Sequence, residues 1–163
     1  MEQARLELLQ RMPIFGGISE DTLELLLKLS RIVSVRSGEF FFRENDPGES
    51  MFVLEAGKVA VMKSWKGQQH LLHHFEKGDC FGEMALMDLF PRSASVVSVE
   101  DSIAIEIPAA CLYQIHKKDL GQFTMIQMNM GREVSRRLRE ADEQLFRLEV
   151  EGSGGRVDTL RHT

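Results

Sequence analysis

One stretch concentrates side chains able to bind a small charged ligand: Phe81-Gly82-Glu83-Met84-Ala85-Leu86-Met87-Asp88-Leu89-Phe90-Pro91-Arg92-Ser93-Ala94. Gly82-Glu83 opens a short helical turn, and Arg92 follows nine residues after Glu83. The first N–H groups of such a turn have no intrahelical partner, and the local dipole favours an anion there. A guanidinium adds a permanent charge and a planar fork matched to two phosphate oxygens. A carboxylate only accepts hydrogen bonds, so Glu83 suits a sugar hydroxyl and not a phosphate. An anion, a sugar hydroxyl and an apolar base site together describe a nucleotide with a small, compact phosphate.

Phe-Gly-Glu-Met-Ala-Leu, a short insert and Pro-Arg-Ser-Ala resemble the phosphate-binding cassette of the cyclic nucleotide-binding domain family. That family includes bacterial cAMP receptor proteins, regulatory subunits of protein kinase A and cyclic nucleotide-gated channels. Asp46 to Leu54 and Glu55 to Val59 resemble its turn and central strands, and Met12 to Ser19 its helical lead-in. The resemblance runs from about Glu7 to Leu148. It implies that Glu83 takes the ribose 2′-OH and that Arg92 pairs with the cyclic phosphate. Backbone N–H groups at Met84 and Ala85 and the hydroxyl of Ser93 then join the phosphate, while Gly82 lets the backbone approach the sugar without a Cβ. The expected ligand is cAMP, with cGMP the alternative and cyclic di-GMP a further candidate.

The segment Ser135 to Glu143 resembles the dimer helix of the bacterial receptor. There the pair that touches the adenine amino group becomes Ala141-Asp142, a departure from the pattern. Asp142 can accept from adenine, or from the N1 and N2 donors of guanine, and it can equally be a solvated helix acid. Val134, Leu138, Ala141, Leu145 and Leu148 form an apolar seam, which with the resemblance implies a homodimer through this helix. The interleaved Arg132, Arg136, Arg137, Arg139 and Arg147 read as i,i+4 ion pairs and not as a DNA surface. Family transcription factors carry a helix-turn-helix domain of ~70 residues after this helix, against about a dozen residues here. Direct DNA binding is therefore not expected, and output passes to an unknown downstream protein. A regulator whose DNA-binding domain lies outside this chain, or a ligand-free interaction module, are the alternatives.

The 163 residues suit one domain, and 43% hydrophobic content can fill a core. A net charge of −5 argues against a nucleic-acid surface. Two cysteines, Cys80 and Cys111, imply neither a disulfide framework nor an iron–sulfur cluster. No signal peptide is visible and no run reaches the ~18 apolar residues of a membrane span, so a cytoplasmic protein is expected. His70, His73 and His74 read as ordinary strand histidines, since 73 and 74 point to opposite faces and cannot share a metal. No metal is expected. No nucleophile–base–orienter set is present, so no enzyme is expected.

Helical spacing from about Gln3 to Arg11 is interrupted by Pro13, and Ser19 caps a second helix. Glycines at ~10-residue intervals then separate seven short strands: Ile32–Val35, Glu39–Arg43, Met51–Ala56, Lys58–Lys63, His70–Phe75, Ser95–Val99 and Ser102–Ile107. Pro108 reads as a first helical position, followed by helices over about Ala109–Lys117 and Leu120–Val150. The expected fold is mainly β with flanking helices, a double-stranded β-helix (a jelly-roll-like β-roll). N-terminal helices occupy 1–30, the roll 31–107, and a hinge with a long dimer helix 108–150. A flexible tail is expected over 151–163.

Overall fold

A computed structural model of the chain describes residues 1–153. Helix α1 (Glu2–Gln10), a 3₁₀ turn (Pro13–Phe15) and α2 (Glu20–Leu29) precede the strands. The Ser19 hydroxyl accepts from the Thr22 N–H at 3.3 Å, capping α2 as its residue type predicts.

Eight strands follow: β1 (Arg31–Val35), β2 (Phe40–Phe42), β3 (Ser50–Ala56), β4 (Lys58–Trp65), β5 (Gln68–Glu76), β6 (Cys80–Phe81), β7 (Ser95–Ser98) and β8 (Ser102–Pro108). Helix α3 (Glu83–Asp88) interrupts them between β6 and β7, and α4 (Ala109–Lys118) and α5 (Leu120–Gly152) close the chain. The strands pair antiparallel as two four-stranded sheets, ordered β1-β8-β3-β6 and β2-β7-β4-β5. This is the expected β-roll with flanking helices.

The roll interior between the sheets holds Phe52, Leu54, Val59, Val61, Phe81 and Val96. A second core packs α1, α2, α4 and the first half of α5 onto the outer face of the β3–β8 sheet through Leu9, Leu26, Val53, Ile105, Ile115 and Ile126. Asn129 ties α5 to the lead-in by donating from Nδ2 to the Gly16 carbonyl at 2.9 Å.

Three local expectations change. Cys80–Phe81 is a short strand beside β3, too brief to leave a period in the sequence. Pro108 ends β8 and stands at the N-cap of α4, with extended backbone, instead of at the first helical position. Helix α5 continues through Glu151 and Gly152 and is capped at Ser153, so those residues are not tail. The remainder of the expected tail, 154–163, lies outside the described residues.

Candidate functional site

The turn Asn45-Asp46-Pro47-Gly48 positions the cassette. Its backbone clamps Arg92 from both sides, Asn45 N–H donating to the Arg92 carbonyl and Arg92 N–H to the Asp46 carbonyl, each at 2.8 Å. Gly48 then lies against α3 so closely that a Cβ there would stand 2.3 Å from the Ala85 Cβ. Gly82, the N-cap of α3, has a left-handed backbone at φ 80°, which favours glycine. A Cβ at Gly82 would come within 2.6 Å of Arg92 Nη1. The glycine therefore makes room for the arginine, a reason the expected approach to a sugar did not include.

These elements enclose a cleft of about 470 Å³, within the range of small-molecule sites. Gly82, Glu83, Met84, Ala85, Arg92 and Ser93 all line it. Arg92 is only 5% exposed. Its Nη1 donates to the Gly82 carbonyl at 2.9 Å and Nη2 to the Ser50 carbonyl at 2.7 Å. The guanidinium stacks 4.0 Å from the Phe42 ring centre. Among the described residues Arg92 makes no ion pair, and its buried Nε has no acceptor. Burial pushes its pKa down from the usual guanidinium range, with Glu106, Asp46 and Glu83 opposing the shift.

Glu83 is 2% exposed and accepts from Arg137 Nη1 of α5. Arg137 also donates from Nη2 to the Cys80 carbonyl at 2.7 Å and lies 4.8 Å from the Phe75 ring centre. Burial raises the Glu83 pKa above the usual carboxylate value, and the Arg137 charge works against that rise. Arg137 keeps the i,i+4 pair expected of the basic run, its Nε 3.4 Å from a Glu133 carboxylate oxygen, and adds the contacts to Glu83 and Cys80 on the cleft wall. Arg136 follows the same reading, bonding Glu133 at 2.7 Å and Glu140 at 2.5 Å.

Asp142 is not brought to this cleft. It stands five residues beyond Arg137, roughly 7.5 Å farther along α5 and about 140° round the helix, and is exposed. Sequence reasoning missed Arg137, His73, Phe75 and Lys63, all of which line the cleft. Lys63 Nζ bonds Glu44 at 2.9 Å and the Ser93 carbonyl at 2.5 Å, bracing the loop after Arg92. Among the described residues no group of three or more His, Cys, Asp or Glu could hold a metal ion. No helix there is long and apolar enough to cross a membrane.

A family model described as the cyclic nucleotide-binding domain matches residues 32–119, more than half of the chain. The chain belongs to the cyclic nucleotide-binding domain family. This domain is 30% identical over 146 residues to the cyclic AMP receptor protein of Thermus thermophilus, covering 89% of this chain and 66% of that protein. It is 27% identical over 152 residues to the CRP-like cAMP-activated global transcriptional regulator of Mycobacterium tuberculosis, covering 93% and 66%. The crystal structure of the T. thermophilus catabolite activator protein matches with a TM-score of 0.73 at 29% identity, over 85% of this chain and 64% of that one. The domain thus spans about two thirds of the length of each of these relatives.

Proposed function

We propose that the chain is a regulatory sensor for a purine cyclic nucleotide, cAMP in the first place and cGMP in the second. Arg92 carries this reading: a guanidinium on the cleft wall, nearly excluded from solvent, with no carboxylate in ion-pair contact among the described residues and with a spare N–H. A buried charge without a partner is costly, and a ligand anion offsets that cost. In the proposed pose Arg92, Ser93 and the backbone N–H groups of Met84 and Ala85 hold the phosphate. Glu83 accepts from the ribose 2′-OH, because a carboxylate has about four acceptor sites and Arg137 occupies only part of them.

The output follows from the same carboxylate. Glu83 meets both the sugar and Arg137, so filling the cleft changes the tie that α5 makes to the cassette. Nucleotide then shifts the position of α5, provided it binds one position better. Inverting a 1:99 population takes a difference of about 5.5 kcal/mol. The second half of α5 exposes Leu138, Leu145 and Leu148, an unburied seam that supports the homodimer reading. A downstream protein would read the helix position. The proposed setting is the cytoplasm, with the buried Cys80 and Cys111 as free thiols.

Calorimetric titration of the purified protein with cAMP, cGMP and cyclic di-GMP tests the reading. One cyclic mononucleotide should bind with one site per chain. Absence of heat and of any thermal shift with all three would leave the ligand-free interaction module instead. A second reading, a transcriptional regulator with its DNA-binding domain outside this chain, is favoured by the 66% coverage of the M. tuberculosis regulator. Sequence-specific DNA retention by a longer gene product would support it.

A further inference from the structure

The cleft has lining residues that the phosphate and sugar contacts do not use. Besides Arg92, Glu83 and its partner Arg137, the wall includes Val61, Leu72, His73 and Phe75. Strand pairing explains why two adjacent residues of β5 face it. Val61 pairs with His73 and Met62 with Leu71, so Leu72 is an extra residue, a bulge that re-aims the strand. The His73 ring meets Phe75 edge-on, with centres 4.6 Å apart. Arg137 already directs its donors at Glu83 and Cys80. That leaves His73 as the side chain on this wall with both a donor and an acceptor uncommitted among the described residues.

Resting on the nucleotide reading above, we propose that His73 selects the base. As a neutral imidazole it accepts from the exocyclic amine of adenine, and as an imidazolium, with donors alone, it favours the O6 acceptor of guanine. Partial burial favours the neutral form, as do the positive Arg137 from α5 and His74 on its own strand, while Asp79 in the turn after β5 opposes them. Across the sheet its neighbour on β4 is the uncharged Val61. Glu83 from α3 and Glu133 from α5 stand behind Arg137, partly balancing its charge.

The test is competition calorimetry of the whole chain with cAMP and cGMP from about pH 5 to about pH 8, the range where imidazole changes charge. Glu83 serves the sugar end, common to both ligands, so its titration cancels in the ratio of the two Kd values. That ratio should move toward cGMP by about tenfold as His73 protonates, the scale of one hydrogen bond. His73→Ala should make the ratio independent of pH, and His73→Gln should make it flat while retaining a neutral donor and acceptor. The side chain lies on an open wall, so both variants should fold, which thermal unfolding checks. A flat ratio in the unaltered protein, or an unchanged slope in His73→Ala, overturns the assignment while leaving nucleotide binding intact. Failure of both nucleotides to bind at every pH overturns the parent reading and this one together.

Discussion

Replacing Arg92 by lysine separates charge from geometry at the centre of the cleft. The positive charge stays, but the planar group that reaches Gly82 and Ser50 at once and lies on Phe42 is lost. A lysine ammonium is a point charge and cannot hold two carbonyls in that geometry while offering a second pair of donors to a phosphate. Loss of one hydrogen bond to a charged group costs about 1.5–3 kcal/mol, or roughly 10- to 150-fold in Kd. In the unliganded protein, one buried carbonyl left without its donor costs about 1–3 kcal/mol, a Tm fall of about 2–10 °C. Arg92→Lys should therefore remain folded at room temperature and bind the preferred nucleotide much more weakly. Calorimetric titration beside a thermal melt measures both effects on one sample. A Kd within about threefold of the unaltered protein, in a variant that melts normally, would remove Arg92 from the phosphate site.

Arg137→Met should destabilise the unliganded domain by about 3 kcal/mol, because it leaves the buried Glu83 unpaired, and denaturant unfolding would show it. Adding Glu83→Gln to that variant should recover part of the loss, since the uncompensated charge then disappears. Gly48→Ala should lower Tm and weaken nucleotide binding together, as its Cβ is driven into Ala85; overpacking of this kind costs about 1–3 kcal/mol. Leu138→Glu with Leu145→Glu should give a monomer in sedimentation if the exposed half of α5 is the dimer seam. Sedimentation of the unaltered chain as a monomer at every concentration would contradict that seam.

Features with local causes were legible in the chain alone. Ser19 announces a helix start because its hydroxyl caps a turn three residues away. Glycine spacing marked the short strands, because turns with positive φ at Gly38, Gly57, Gly67 and Gly78 need residues without a Cβ penalty. Glu83 and Arg92 were visible as a pair because one short loop carries both into the cleft. Composition and period also separated the roll from the helices around it.

Tertiary structure decided what depends on distant partners. Arg137 looks like its neighbour Arg136 and shares Glu133 with it, and only the docking of α5 also sends Arg137 to a carboxylate 54 residues earlier. Asp142 was drawn to the ligand by similarity, yet the pitch of the same helix turns it away from the cleft of its own chain. Leu72 joins His73 and Phe75 on the wall through a strand bulge set by pairing with β4, which period-two alternation cannot express. Gly48 resembles any turn glycine until α3 is packed on it. A residue's identity constrains the few neighbours along its own backbone, whereas charge partners and close approaches are set by chain segments that only folding brings together.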